Sequence, residues 1–255
     1  MLLVESGAEV VPFNTLGQVP VPAHTRSYRP VPYQDAVEVV RNTIANRLPN
    51  REVLSEEFAL GRKGQHLFGL WTLDTDAEDN NLSIGMRQSY DKSLSLGLVS
   101  GGQVTVCSNL MFDSDTVRLV RKNTTNVWDD FSDLVERAVI RSESAYQRMQ
   151  GELEAMKALD CPTIRGAELM GVALYNNVLR PQQATVAMRA WKDAPHAEFE
   201  PRTMWSLYNA FTEALKKGQP ADMMTRYIGA HDFFRELITE EGINPFQQHL
   251  PMADA

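Results

Sequence analysis

The segment LSIGMRQSYDKSLSLGLVSGGQVTVCSNLMFDSDTVRLVRKNTT, residues 82–125, decides the fold of this chain. Apolar and polar residues alternate in three runs of the segment: 82–90, 92–100 and 103–112. A side-chain period of two predicts β-strands. The pair Gly101-Gly102 lies between the last two runs, and two adjacent glycines are typical of a hairpin turn. We therefore expect a three- to five-stranded antiparallel sheet over residues 52–112.

Helical periodicity flanks this ribbon on both sides. Tyr33–Leu48 carries apolar residues at helical spacing before it, and Val127–Leu159 carries them at alternating three- and four-residue spacing after it. The second pattern is close to a coiled-coil seam, with Ser142 and Glu152 as polar interruptions. It fits one long helix lying across the sheet, or a helix whose seam partly serves subunit packing.

The two ends of the chain differ in character from this centre. Residues 1–32 hold five of the 13 prolines, which predicts an extended arm that is disordered or packs on its own domain or a neighbouring subunit. Residues 161–250 carry further helical patterns over 163–179, 182–192, 201–217 and 221–240.

We therefore predict an α+β fold: an antiparallel β-sheet ribbon packed on a long helix, followed by a helical C-terminal half. The expected units are an extended Pro-rich arm (1–32), an α+β core with ribbon and long helix (33–160) and a helical C-terminal region (161–255).

Composition bounds the class of protein. The chain has 255 residues and is 43% hydrophobic and 23% charged, enough for one large or two small domains. It has no apolar run long enough to span a bilayer, and the N-terminal MLLVESGAEVVPF lacks the basic residues of a signal peptide. Cys107 and Cys161 fit free thiols in a reducing compartment. We expect a cytoplasmic protein.

Catalytic signatures are missing from the sequence. None of the five histidines lies within a helical turn of another or of a cysteine, whereas zinc ligands usually come in close pairs. The nucleotide-binding glycine patterns and the nucleophile elbow are also missing. We expect no enzyme, no cofactor and no metal. One alternative stays open: a magnesium nuclease built on Asp91, Asp113 and Asp115.

The ribbon is a positive island in an acidic chain. The net charge is −8, but residues 80–127 carry an excess of bases between two acidic stretches, 71–79 and 128–160. Its candidate nucleic-acid-binding residues are Arg87, Ser89, Tyr90, Lys92, Asn109, Arg121 and Lys122. Such groups supply charge and hydrogen bonds to phosphates, and Tyr90 would stack or hydrogen-bond. The alternative is a solvated sheet face on which the Arg and Lys side chains form ion pairs with nearby aspartates.

The ribbon resembles phage- and plasmid-associated proteins grouped as a domain of unknown function. Those proteins show an R-x-S-x-D-x-S hairpin, a V-x-V-C-x-N-L-x-F strand and an R-K-H-T turn before a long helix. The matching residues here are Arg87, Ser89, Asp91, Ser93, Val104, Val106, Cys107, Asn109, Leu110, Phe112, Arg121, Lys122 and Thr124. Asn123 stands where the family often has histidine, which weakens any acid–base role for this turn.

A second, separate segment carries the same resemblance. TMWSLYNAFTEALKKG, residues 203–218, matches an N-A-x-T-E helix of the family at Asn209, Ala210, Thr212 and Glu213, with Trp205 and Leu207 leading into it. The resemblance implies mobile-element DNA, a bacterial host cytosol and an accessory role.

The order of helix, antiparallel ribbon and long helix is also similar to the core of single-strand annealing recombinases. In that superfamily a hairpin and a helix form a groove, and subunits build rings or filaments on single-stranded DNA. We expect a non-enzymatic single-stranded DNA-binding and annealing protein of a phage or mobile element, active in DNA recombination as a homo-oligomer. The alternative is an anti-defence or regulatory protein that binds a host protein through its acidic stretches, 74–79 and 129–136.

Overall fold

The fold is known from a computed structural model, and the described residues are 8–77, 80–104, 110–112, 119–121, 127–216 and 220–240. Side chains are described for these residues except within 105–130, 217–221 and at 223. Mixed α+β structure fills the described residues, with the sheet in the N-terminal half and most helices in the C-terminal half. The predicted fold class is confirmed.

Seven strands among the described residues form one antiparallel sheet. They are β1 (Glu9–Val10), β2 (Val53–Gly61), β3 (His66–Leu73), β4 (Asn80–Ser89), β5 (Leu96–Val104), β6 (Leu110–Phe112) and β7 (Leu119–Arg121). Strands β1 to β6 are neighbours in that order, and β7 pairs with β5 beside β6. Strand β3 is buried along its whole length.

The hairpin turn predicted at Gly101-Gly102 is wrong. Both glycines lie inside β5 and pair with β4 on one side and with β6 on the other. The chain instead reverses between β4 and β5, where Lys92 adopts a φ of 64°. The Asp91 carboxylate accepts a hydrogen bond from the Ser93 backbone N–H at 2.9 Å, so a short polar side chain closes this turn without glycine.

The helices among the described residues are α1 (Phe13–Leu16), α2 (Tyr33–Arg47), α3 (Val127–Ala158), α4 (Thr163–Tyr175), α5 (Pro181–Lys192), α6 (Met204–Leu215) and α7 (Pro220–Glu240). The long helix expected from residue 127 is confirmed as α3. Helix α4 ends before the predicted residue 179, and Pro181 opens α5 because its missing N–H and fixed φ suit a first helical position. None of the described helices is both long and apolar enough to cross a membrane.

The seam of α3 is buried within its own chain. Phe131, Val135, Met149 and the polar Ser142 are each 0% exposed, and the helix contacts β4, β5, α2, α6 and α7. This packing matches a long helix lying across the sheet. One hydrophobic cluster then continues from the sheet through α3 into the C-terminal helices.

The described part of the Pro-rich arm packs against its own sheet. Strand β1 pairs with β2, and Val11, Leu16 and Val31 are 7%, 1% and 1% exposed. The Gln88 side chain on β4 donates a hydrogen bond to the Val31 carbonyl at 3.2 Å. The arm therefore adds to the core of this chain and lies along the end of β4.

Two glycines of helix α4 offer a matched test of the packing of α4 against Trp191 of α5. A Cβ at Gly166 would lie 2.6 Å from Nε1 of Trp191, whereas a Cβ at Gly171 would meet no atom within 4 Å. We expect Gly166→Ala to lower the free energy of unfolding by about 1–3 kcal/mol through overpacking. Gly171→Ala should raise it by up to about 1 kcal/mol, because alanine favours a helix more than glycine does.

Urea denaturation of the two variants and the parent measures both changes. Stabilisation by both substitutions would contradict the described contact of α4 with Trp191.

Candidate nucleic-acid interface

Three loops meet at one end of the sheet. They are the β2–β3 turn (62–65), the β4–β5 turn (90–95) and a turn of the arm closed by the Thr25–Tyr28 bridge. The Tyr90 N–H donates to the Gln65 carbonyl at 2.8 Å, and the Tyr28 hydroxyl donates to the Tyr90 carbonyl at 3.1 Å. Hydrogen bonds of long sequence separation therefore fix these loops relative to one another.

A pair of stacked tyrosines lies beneath the loops. The rings of Tyr33 and Tyr90 are 3.9 Å apart at an interplanar angle of 6°. The Tyr33 N–H donates to the Tyr90 hydroxyl at 3.0 Å, and the Tyr33 hydroxyl donates to the Gln65 carbonyl at 2.6 Å. Burial raises the pKa of Tyr90 to about 12 and also raises the pKa of Tyr33. Both side chains are therefore neutral parts of the core at neutral pH.

Asp91 organises the β4–β5 turn. Its Oδ1 accepts hydrogen bonds from the Ser93 backbone at 2.9 Å and from the Ser93 hydroxyl at 2.6 Å, and its Oδ2 lies 3.1 Å from His66 Nε2. Burial opposes ionisation of Asp91. The hydrogen bonds from Ser93 and His66 outweigh it and hold the pKa of Asp91 well below its ordinary value.

The Ser93–His66–Asp91 grouping is not arranged as a nucleophile relay. His66 Nε2 lies 2.7 Å from the Ser93 hydroxyl and 3.1 Å from Asp91, so one ring nitrogen faces both partners. A relay needs the base to face the nucleophile with one nitrogen and the carboxylate with the other. The grouping is instead a hydrogen-bonded closure of the turn.

Five exposed cations surround these loops, and we call them the hairpin-tip patch: Arg26, Arg29, Arg62, Lys63 and Lys92. Lys92 Nζ lies 4.4 Å from the centre of the Tyr28 ring, and Arg62 Nη1 lies 3.4 Å from Asp91 Oδ2. The carboxylates of Asp91 and Asp35 lie near the same loops. The local balance of charge is positive, in contrast to the −8 of the whole chain.

The predicted binding residues do not all share this surface. Lys92 belongs to the hairpin-tip patch, and the register places Arg121 opposite Leu96, at the same end of the sheet. The Ser89 hydroxyl is buried, donating to the Leu94 carbonyl and accepting from the Leu94 N–H. Tyr90 is 3% exposed and faces Tyr33, so no ring face is presented to a base.

The remaining predicted residues lie elsewhere. Arg87 is half-buried in β4, opposite Phe68 and Gly97, with its Nε out of contact with solvent. Asn109 and Lys122 lie outside the described residues. The role of these residues in binding stays a prediction.

Sequence reasoning missed four members of the patch: Arg26, Arg29, Arg62 and Lys63. The signal available in the sequence was the Gly61-Arg62-Lys63-Gly64 segment, in which two basic residues lie between two glycines typical of a turn. In the structure Arg62 and Lys63 take φ values of 47° and 55° in this turn. Its proximity to the arm and to Lys92 depends on contacts between loops that are far apart in sequence.

Groups suited to other chemistry are scarce among the described residues. No cluster of three or more His, Cys, Asp or Glu there could hold a metal ion, while Asp113 and Asp115 lie outside the described part of the chain. Cys161 is buried, and burial raises the pKa of its thiol to about 11. A thiol held protonated is a poor nucleophile.

The second sequence motif belongs to the core. Asn209 Nδ2 donates to the Trp205 carbonyl at 3.0 Å, and the Thr212 hydroxyl donates to the Asn209 carbonyl at 3.0 Å. Asn209 and Thr212 are 2% and 0% exposed. The N-A-x-T-E segment therefore builds helix α6 and its packing.

Comparison with known proteins identifies the family. The family model described as Domain of unknown function (DUF932) matches residues 23–247. The chain belongs to this family. The match agrees with the resemblance to a domain of unknown function seen in the ribbon and in α6, and it spans strands β2 to β7 and helices α2 to α7 of this DUF932 chain. No curated protein and no solved structure matches the chain.

Asp91 supports a pH-dependent prediction for this DUF932 chain. We expect Asp91→Asn to lower the free energy of unfolding at pH 7 by about 1–2 kcal/mol, because it weakens charge-assisted hydrogen bonds. A carboxylate whose pKa is lowered in the folded state stabilises the protein above its unfolded pKa and loses that contribution as pH falls. The difference in the free energy of unfolding between Asp91→Asn and the parent should therefore become smaller below about pH 4.

Urea denaturation at neutral and acidic pH measures this difference. Asp193→Asn, at an exposed position after α5, is the control and should change little at any pH. An Asp91→Asn effect that is equal at pH 7 and pH 3 would contradict the proposed role of the ionised carboxylate.

Proposed function

We propose that this protein binds single-stranded DNA without catalysing a reaction and that it anneals DNA strands as a homo-oligomer. The observation that carries the proposal is the hairpin-tip patch, five exposed cations on three mutually fixed loops of an acidic chain. Phosphates are bound by such cations, and the release of counterions from the nucleic acid drives association.

The geometry favours contact with the sugar–phosphate backbone over base stacking. Sequence-tolerant stacking needs an aromatic face open to solvent, and Tyr28, Tyr33 and Tyr90 are 5%, 0% and 3% exposed. A single strand can follow three closely set loops, whereas bending duplex DNA over them costs elastic energy. The end of β7 where Arg121 lies, opposite Leu96, would extend the contact across the ribbon.

The order of elements supports the annealing part of the proposal. A helix, an antiparallel ribbon and a long helix follow one another as α2, β2–β5 and α3, an order similar to that of single-strand annealing recombinases. This support is an analogy of fold. The same resemblance underlies our proposals of a phage or mobile-element origin, a role in DNA recombination and action in a bacterial cytoplasm.

Charge reversal tests the patch directly. We expect Arg26→Glu with Lys63→Glu to weaken binding of a fluorescent single-stranded oligonucleotide about tenfold or more at low salt. The dependence of log Kd on log salt should fall by about 0.7 for each phosphate that the variant no longer neutralises. Fluorescence anisotropy across a salt series measures both quantities.

The matched control is Arg189→Glu with Lys192→Glu, on the exposed surface of α5. It changes the net charge equally and should leave affinity close to that of the parent. Arg87 is unsuited to this test because its half-buried position would mix folding with binding. Equal affinities of the two double variants would overturn the assignment of the patch.

The native mass with and without the oligonucleotide tests assembly. A ring or filament that forms or grows on DNA supports annealing. A monomer that ignores DNA overturns it and favours the alternative of a regulator that binds a host protein, which a stoichiometric protein partner recovered without nucleic acid would identify.

A further inference from the structure

An open cleft of about 460 Å³ lies in the C-terminal half of the chain. The loop 176–180, between α4 and α5, forms one wall. Thr225, Arg226 and Gly229 on one face of α7 form the other. None of its lining residues belongs to the hairpin-tip patch, so the cleft is a separate site.

Two guanidinium groups line the cleft. Arg226 Nη1 donates to the Asn177 carbonyl at 2.8 Å and lies 3.5 Å from the Val178 carbonyl, which fixes its side chain in place. These contacts use one nitrogen of a group that has five N–H donors. Backbone carbonyls orient the Arg226 guanidinium but do not neutralise its charge.

The second guanidinium has a weakly held partner. Arg180 Nη2 lies 2.9 Å from Asp222 Oδ2, and the two side chains are 49% and 47% exposed. Exposed ion pairs of this kind contribute only about 0–1 kcal/mol. An anion that binds both arginines could therefore displace the Asp222 carboxylate at little cost.

Gly229 leaves the cleft open. Glycine in the interior of a helix is less favourable than alanine by about 1 kcal/mol, and Gly229 lies well inside α7. A Cβ at this position would meet no atom within 4 Å, so packing does not require glycine there. The missing side chain instead enlarges the space beside Arg226.

We infer that this cleft binds a phosphate group. The Arg180 and Arg226 guanidiniums would hold its oxygens through charge-assisted hydrogen bonds, the strongest class for phosphate. The Thr225 hydroxyl and the Asn176 amide offer further donors at the rim. The phosphate group is that of a free phosphate or mononucleotide, or one from a nucleic-acid backbone. The inference does not depend on the hairpin-tip patch.

Isothermal titration calorimetry of the full chain with inorganic phosphate, a deoxynucleoside monophosphate and a single-stranded oligonucleotide tests the inference. Arg226→Gln should weaken phosphate binding about tenfold or more, since it removes a charged donor. Asp222→Asn should strengthen binding several-fold, because it removes the carboxylate that competes for Arg180. The control Arg165→Gln, on the exposed part of α4, should change nothing.

The variant Gly229→Glu provides an independent test. It places a carboxylate in the cleft and should abolish phosphate binding while the thermal midpoint stays equal or rises, since glutamate favours a helix. If this variant or Arg226→Gln unfolds, the Asp222→Asn result decides alone, because Asp222 is a surface residue. If the parent shows no heat of binding at millimolar phosphate, or if Asp222→Asn binds phosphate more weakly than the parent, the inference is overturned.

The ligands distinguish the source of the phosphate. Equal affinities for phosphate and the mononucleotide identify the phosphate group alone as the ligand. An oligonucleotide that binds more tightly than either, and loses that advantage in Gly229→Glu, identifies a nucleic-acid backbone. Loss of oligonucleotide binding only in the hairpin-tip variants, with phosphate binding intact, leaves the cleft as a small-anion site.

Discussion

Burial of one face of α3 is the constraint on which the rest of this structure depends. Phe131, Val135, Met149 and Met156 along that face are each 1% exposed or less. Each fully buried side chain of this size contributes about 1.5–3 kcal/mol of hydrophobic stabilisation. Because the helix contacts β4 and β5 as well as α6 and α7, the same face joins the sheet to the C-terminal helices.

One buried polar residue in that face, Glu152, makes the packing of α3 against α7 specific. Glu152 is 1% exposed, and its carboxylate lies 2.7 Å from His231 Nε2 and 2.7 Å from Arg235 Nε on α7. Burial opposes ionisation of Glu152, but the hydrogen bond from His231 and the charge of Arg235 hold its pKa below the ordinary value. Leaving such a buried charge without partners costs about 3–5 kcal/mol, which disfavours other registers of α7 on α3.

The sequence predicts those parts of the fold that local periodicity determines. Helices α2 and α3 carry long apolar repeats, and each begins at the expected residue and ends one residue before the expected end. The prediction of a turn at Gly101-Gly102 was wrong because glycine also occurs inside a strand where neighbouring strands lie close on both sides. The real turn was hidden because Asp91 and a left-handed Lys92, rather than glycine, close it.

The candidate site is less predictable because its parts are distant in sequence. Lys92 could be proposed from the ribbon alone, but Arg26 and Lys63 come near it through contacts between distant loops, among them those of Tyr28 and Tyr90. Periodicity also cannot distinguish a tyrosine that stacks on a base from one that stacks on another tyrosine, since both need a large flat ring.

That distinction changes how the tyrosines would serve the proposed DNA binding. Stacked on Tyr33 and bonded to the neighbouring loop, Tyr90 fixes the loops that carry the cations before any ligand arrives. Loops ordered in advance lose less conformational entropy on binding, so their charges act at lower cost. A change at Tyr90 would therefore act on affinity through the spacing of the cations, alike for every base sequence, whereas loss of a base-stacking platform would depend on the bases bound.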